Sequence, residues 1–530
     1  MTTGNSHSYR KNGSDWLRTA VLSVAVIGLL SYAIFQLTRK QSVSESESGN
    51  PNVEPLTILC AAGMKKAVLE VKDAYEKEFG LPVNLTYGSS GQLEGQLRIH
   101  AQGGISQADL FIPADESFSL RTRREGLTSE TLHLAEFHVV LALSPTVDKT
   151  PESIDALLNS GFSYTLCDPK AGAGQKTMES LTRTGQWDEV KQRAKAVFPT
   201  VTEAANAIKT SDNIQAGFIW NSVARQFGLE FVELSELQGS NALITVNVVS
   251  STTQPTRALH FARYLTAPDR GIPSFEKHFF DIRPGDPWSD QPEILVFAGG
   301  VNRDAVDETI RQFESREGCE VQVQYAGCGT LVGNIQTGSA GVPNIFLTCD
   351  ASYMDKVGNL FGDAANVSST KICILVRGGN PMNIRSVRDL SNPQLKIGTT
   401  DPRLSTLGFL SWELFRKFGV YDSISSNKSV VVTTPTAHEL IAQVQTHGKL
   451  DAALVYEANC QNLTGEFELI PIDHPAATAV QNIASSRENR YPELSKRLMD
   501  AILSADSSKR FASQGFQWLG SSAENSGSGQ

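Results

Sequence analysis

Two short stretches hold residues whose types and spacing suit the binding of a small anion. They are Tyr87-Gly88-Ser89-Ser90-Gly91-Gln92-Leu93 and Asp168 to Gln175 (DPKAGAGQ). A third stretch of the same kind, Ala61-Ala62-Gly63, follows the apolar run Leu56 to Cys60. Each places small residues or hydroxyls where an apolar run gives way to a helical pattern. At a helix start the first N–H groups have no partner within the helix and the positive end of its dipole points outward, so such loops hold anions, with serine hydroxyls as added donors. An anion receptor needs nothing more. No cluster of acids, bases or metal ligands accompanies them, Ser90 lacks a G-x-S-x-G elbow, and no His/Asp partner has motif support. We therefore expect no catalytic residue, metal or cofactor. A tight strand-to-helix turn alone also explains glycine-rich helix starts, and Asp168-Pro169 and Asp401-Pro402 read most simply as turn residues.

The elements that position these loops follow from periodicity. Leu56 to Ala61 is a short apolar strand, and Lys65 to Phe79 places Ala67, Val68, Val71, Ala74, Tyr75 and Phe79 on one helical face, closed by Gly80. Val83 to Tyr87 alternates as a strand, Gln92 to His100 is a second amphipathic helix, and Asp109 to Pro113 is a third strand. This β-α-β-α-β order predicts a parallel sheet with right-handed crossovers, and ligands in such sheets sit beyond the carboxyl ends of the strands. The pattern then repeats. Cys60 faces Phe297 at an offset of 237, Tyr87 to Leu93 matches Tyr325 to Leu331 (YAGCGTL) at 238, and Ala108 to Asp115 (ADLFIPAD) matches Pro343 to Asp350 (PNIFLTCD) at 235. Asp168-Pro169 matches Asp401-Pro402 at 233, and Gly217 to Trp220 matches Ala453 to Tyr456 at 236. Two copies of one unit of about 235 residues are far too long-period for a solenoid.

This order of motifs resembles the periplasmic molybdate and tungstate-binding proteins, the receptors of oxyanion importers; the ADLFIPAD match with the preceding YGSSG is its most specific part. The resemblance implies tandem type II periplasmic-binding-protein modules of class α/β, each with two α/β lobes of mostly parallel sheets, joined by crossing segments and closing by a hinge. It also implies a pocket. The family's first-loop serine falls on Gly63 and Val301, its second-loop serine on Ser90 (beside Ser89) and Cys328, and its tyrosine on Trp220 and Tyr456, with backbone donors near Ala173 and Thr202 and near Leu407 and Thr436. Each copy keeps about one of three side-chain donors. A hydrogen bond to a charged partner is worth about 1.5–3 kcal/mol, so two lost hydroxyls weaken binding by roughly two to four decades unless replaced. Lys65 and Lys66 read as solvent-facing, and Trp220 offers one indole N–H and a flat apolar wall. His438 and His447 near Tyr456 raise a ferric site as a minor alternative.

Composition sets the frame. Lys+Arg 47 against Asp+Glu 57 gives a net charge of −10 with no long basic run, so nucleic acid is not an expected partner. Twenty uncharged residues from Thr19 to Thr38 span about 30 Å as a helix, enough to cross a bilayer core; cleavage after Ala33 is the alternative, and either way the body is exported. The expected organisation is a cytoplasmic tail 1–18, a transmembrane anchor or signal 19–38, a Ser/Glu-rich linker 39–53, solute-binding modules 54–290 and 291–520, and a fraying tail 521–530. The seven cysteines are odd in number and mostly lie in strand-like runs, which favours buried free thiols over a bridge such as Cys319 to Cys328. The leading expectation is a single-pass, membrane-anchored receptor, its body in the periplasm or otherwise outside the cytoplasm, that presents a small oxyanion to an ABC importer permease. The alternative is a sensor or scaffold ectodomain whose clefts no longer bind tightly.

Overall fold

The computed structural model describes residues 53–103, 108–447, 450–461, 463 and 465–520. The expected cytoplasmic tail, anchor and carboxy-terminal tail, and all but the end of the linker, lie outside the described residues. Among those described, no helix is long and apolar enough to cross a membrane.

In the first copy, β1 (Leu56–Ala61) is buried along nearly its whole length, as befits a strand with neighbours on both sides and helices on both faces. It leads into α1 (Lys65–Phe79), β2 (Val83–Gly88), α2 (Ser90–Gly103), β3 (Leu110–Ile112) and α3 (Glu116–Arg124). Two strands, β4 (Thr128–Phe137) and β5 (Val139–Leu143), then carry the chain to a second lobe. That lobe contains α4 (Ile154–Asn159), β6 (Tyr164–Cys167), α5 (Gly172–Arg183), α6 (Trp187–Arg193), β7 (Ala196–Phe198), α7 (Val201–Thr210), β8 (Ala216–Trp220), α8 (Asn221–Phe227) and β9 (Phe231–Val232). β10 (Ala242–Val249) returns to the first lobe, followed by α9 (Pro255–Thr266), α10 (Ile272–Lys277) and β11 (Asp281–Ile282). The two sheets have the orders β11-β4-β10-β3-β1-β2 and β7-β6-β8-β5-β9.

The second copy repeats this path through β12 (Glu293–Gly299), α11 (Arg303–Glu317), β13 (Glu320–Ala326), α12 (Cys328–Thr337), β14 (Ile345–Leu347) and α13 (Ala351–Asp355). Its crossing strand β15 (Ala365–Arg377) is continuous, pairing with the first lobe through residues 365–371 and with the second through 372–376, so both lobes join in one ten-stranded sheet. There follow β16 (Ile397–Thr400), α14 (Thr406–Lys417), α15 (Tyr421–Ser426), β17 (Val430–Thr434), α16 (Ala437–His447), β18 (Ala452–Tyr456), β19 (Phe467–Pro471), β20 (Thr478–Ser485), α17 (Pro492–Ile502), α18 (Ala505–Ser513) and β21 (Gln517–Trp518).

Two expectations need correction. The sheets are mixed rather than mostly parallel: β1, β2 and β3 run parallel, but β10 pairs antiparallel with both β3 and β4. Strands that leave one lobe and return to it have no crossover helix, and the βα periodicity that marks parallel units is silent about them. Strand register also shifts the first repeat landmark by one residue. Ala61 pairs with Gly88 and Gly299 with Ala326, so the structural offset at β1 is 238 and Cys60 corresponds to Ala298, not Phe297.

The modules meet through charged side chains. Glu317, 1% exposed, accepts from Arg497 Nε at 2.6 Å and Nη2 at 3.0 Å, and Nη1 of Arg263 in the first module lies 3.4 Å from Glu317 Oε2. Arg316 binds Glu130 and donates to Ser129 Oγ at 3.1 Å. The connecting segment supplies Asp286, whose carboxylate accepts from the N–H groups of Glu493 and Leu494 at 2.9 and 2.8 Å, capping α17. A cavity of about 540 Å³ lies at this junction, lined by residues of both modules such as Arg123, Glu130, Arg316 and Arg510.

Candidate anion cleft

In the first copy, Ala62, Gly63, Ser89, Ser90, Ala173 and Trp220 converge on a cavity of about 20 Å³, scarcely more than one water-sized space. The lobes are closed over it. Gly91 N–H donates to the Lys170 carbonyl at 3.1 Å across the cleft, and a Cβ on Gly91 would stand 2.5 Å from that oxygen, so glycine is what permits the approach. Ser90, 1% exposed at the first position of α2, accepts from Ala114 N–H at 3.0 Å, and no described residue takes its hydroxyl hydrogen. Ser89 plays a different part. Its hydroxyl accepts from Gln92 N–H while its own N–H donates to Gln92 Oε1 at 3.0 Å, a reciprocal cap on the helix.

Across the cleft, α5 starts at Gly172 behind Ala171, with no side chain capping it, so the first-turn N–H groups around Ala173 are unclaimed by a cap. Thr202 is the second residue of α7; the cap is Thr200, whose hydroxyl accepts from Glu203 N–H at 3.3 Å and lies 3.2 Å from the Thr202 hydroxyl. Trp220 ends β8, is 1% exposed and stacks on Phe137 at 4.0 Å between centroids. Its indole fills the space that Gly63 and Gly172 leave, since Cβ atoms built there would lie 3.6 and 3.3 Å from its ring. Lys65 and Lys66 are both exposed, with Lys66 donating to the Gln226 carbonyl at 3.1 Å.

Sequence reasoning missed the inter-lobe pair beside this cleft. Lys176 Nζ of α5 lies 3.2 Å from Asp115, the buried cap of α3. Burial works against the Lys176 charge, but Asp115 and Glu179 outweigh it and hold its pKa above the ordinary lysine value. The signal was present: Lys176 sits four residues into the helix that DPKAGAGQ begins.

The second copy is filled with different chemistry. Val301, Leu407 and Tyr456 are buried, and Thr436 caps α16 by accepting from Glu439 N–H at 3.3 Å. Thr406, at the position of Gly172, and Tyr456 have buried hydroxyls without a hydrogen-bond partner. Burial foremost, then the nearby Cys349, pushes the Tyr456 phenol far above its usual pKa. Cys328 Sγ lies 2.9 Å from Cys349 Sγ, and Cys349 N–H donates to Cys328 Sγ at 3.0 Å. All seven cysteines are buried and unbridged, with Cys328 against Cys349 rather than Cys319. His438 is exposed and 3.9 Å from Asp304, and among the described residues no group of three or more His, Cys, Asp or Glu side chains is arranged to hold a metal.

Two lobes, crossing strands between them and a cleft ringed by helix starts define a two-lobed solute-binding architecture, present here twice. The chain belongs to the bacterial extracellular solute-binding protein family, whose model matches residues 56–281 and again 294–517. It is 26% identical over 239 residues to the molybdate-binding protein ModA of Mycobacterium tuberculosis, covering 44% of this chain and 86% of that protein. It is 26% identical over 259 residues to YvgL of Bacillus subtilis, described as a candidate ABC transporter substrate-binding lipoprotein, covering 48% of this chain and 96% of that one. Among solved structures, the periplasmic molybdate-binding protein of Azotobacter vinelandii aligns with 43% of this chain and 99% of its own at 16% identity, with a TM-score of 0.37. The family and these relatives are binding proteins, not enzymes.

Proposed function

We propose that the protein is a membrane-anchored, extracytoplasmic receptor that presents a small oxyanion of the molybdate or tungstate type to an ABC importer permease, and that the first module is the one that binds. The observation carrying this reading is the first cleft itself: Ser90 holds a free hydroxyl hydrogen beside the uncapped start of α5 and the start of α7, the donor set a tetrahedral oxyanion requires. The first-loop hydroxyl is absent at Gly63 and the tyrosine is Trp220, so affinity rests on Ser90, backbone N–H groups and the indole N–H. Anchoring through residues 19–38 and a body outside the cytoplasm rest on the uncharged run in the sequence.

A second reading applies to the second module. Its seat is occupied by Cys328, Cys349, Thr406 and Tyr456, which supports a copy that has given up oxyanion binding and serves as a docked partner of the first. Calorimetric titration of the purified protein with molybdate, tungstate, sulfate and phosphate tests both readings. One equivalent of heat for a tetrahedral oxyanion, lost in Ser90→Ala, is the expected result; no heat and no thermal shift with any of the four would refute the receptor reading, because ligand at 100 times its Kd stabilises a fold by about 2.7 kcal/mol.

A further inference from the structure

The two clefts share one hydrogen bond and differ in the atoms that make it. In the first, Ala114 N–H donates to Ser90 Oγ at 3.0 Å; in the second, Cys349 N–H donates to Cys328 Sγ at 3.0 Å. A third position changes with them. By strand register Gly299 replaces Ala61, and a Cβ at Gly299 would stand 2.2 Å from Cys349 Sγ and 3.1 Å from Cys328 Sγ, so the sulfur pair fits because that methyl is gone. Ala61, Ser90 and Ala114 have thus become Gly299, Cys328 and Cys349 together. The sulfurs are 2.9 Å apart, within 1 Å of the covalent distance of about 2.05 Å.

We infer that Cys328 and Cys349 form a reversible dithiol–disulfide couple in the second cleft, oxidised by exchange with an external disulfide. Cys349 is the attacking sulfur: the hydrogen bond from the Cys328 thiol holds its pKa down, whereas burial pushes that of Cys328 up. The Cys349 thiolate attacks one sulfur of the external disulfide, breaking that S–S bond and releasing one thiolate. Cys328 sulfur then displaces the second thiolate from Cys349, forming the intramolecular bond. Two protein thiols are oxidised, the external disulfide is reduced to two thiols, and the protons lost by Cys328 and Cys349 end on those two leaving groups.

The couple is gated by the lobes. Both sulfurs are buried, and Thr330 N–H donates to the Leu404 carbonyl at 3.2 Å across the closed cleft. A Cβ on Gly327 would lie 2.2 Å from that same oxygen. Exchange therefore reports opening of the second module, and it does not depend on which ligand the first module takes.

The test is to equilibrate the full chain with mixtures of reduced and oxidised glutathione, quench with acid, alkylate in denaturant and map the digest without reduction. The expected result is a peptide pair linked through Cys328 and Cys349 that becomes the dominant form of these two residues as the mixture becomes more oxidising, returns to free thiols on reduction, and leaves the other five cysteines alkylated. Two alkylated thiols at every ratio, a Cys319–Cys328 link, or a soft metal ion released from the pair on denaturation would each overturn the proposal. The C328S/C349A variant installs the residues of the first cleft; it is expected to keep the wild-type circular dichroism and to lose any glutathione-dependent change in Tm. Should it fail to fold, the peptide map of the wild-type chain still decides the question.

Discussion

Ser90 and Gly63 stand on the same wall of the first cleft, beyond the carboxyl ends of the paired strands β2 and β1, and set its donor count in opposite directions. Ser90→Ala removes the free hydroxyl hydrogen and leaves Ala114 N–H without its acceptor, so oxyanion affinity is expected to fall by one to two decades, about 1.5–3 kcal/mol, in a calorimetric titration. Gly63→Ser is expected to act the other way. A Cβ at Gly63 meets Val201 Cγ1 at 3.4 Å and Trp220 Cδ1 at 3.6 Å, ordinary contacts, so a hydroxyl can be added without displacing the indole, and binding should tighten by about tenfold. At this scale the sequence marked Ser90, Gly63 and Trp220 because a motif gave each a place. Cys349 and Thr406 escaped it: they fall where the first copy has Ala114 and Gly172, positions without a side-chain donor in that copy, and the proximity that gives them meaning is made by folding.

Elements differ between the copies in how they carry the chain across the cleft. In the first copy the crossing is broken at His138, whose N–H and carbonyl are both taken by Asn221 at 3.2 and 2.9 Å, whereas in the second β15 runs through unbroken. The helices across the cleft differ too. Lys176 of α5 reaches Asp115 at the start of α3, while Leu410 and Phe409 stand at the corresponding turn of α14, with Phe409 6.4 Å from the Tyr353 ring. Lys176→Leu should therefore leave a buried carboxylate without its counter-charge and lower stability by about 1–3 kcal/mol, between the surface and buried limits for ion pairs, as measured by urea unfolding. The 65–79 helix, the apolar strands and their order were legible because 3.6-residue and two-residue periodicities report burial directly. The antiparallel return β10 was not, since a strand buried on both faces along nearly its whole length has no alternation to betray its direction.

At the scale of the whole molecule, charge is used locally rather than as a field. The chain carries −10 overall, yet the module boundary is dense in arginine, with Arg263 and Arg497 on the buried Glu317. Glu317→Gln would leave two buried guanidinium groups facing each other; we expect a loss of about 3–5 kcal/mol and the splitting of one calorimetric unfolding transition into two. The Arg316–Glu130 pair adds a pH dependence. Burial alone would raise the Glu130 pKa, but hydrogen bonds from Arg316 and Ser129 outweigh it and the net direction is downward. A carboxylate held below its unfolded value contributes stability that is complete above that value and lost as pH falls through the folded one, so module docking should hold at neutral pH and weaken only below about pH 4.3. Sedimentation or thermal melts between about pH 3 and pH 6 would register this, and a weakening that began near neutrality would contradict it.

Asp286 gives the chain an order of assembly. The carboxylate lies between the two modules in sequence, but the N–H groups it caps, at Glu493 and Leu494, are 207 and 208 residues further on. While the chain is being synthesised from its amino terminus, the pairs that Arg316 and Glu317 make with Glu130 and Arg263 become available early in the second module, whereas the clasp on Asp286 is completed only when α17 emerges. A product truncated before Pro492 would keep those early arginine pairs but leave the Asp286 carboxylate without the helix it caps, so the final 39 residues decide whether the connector is fastened at both ends.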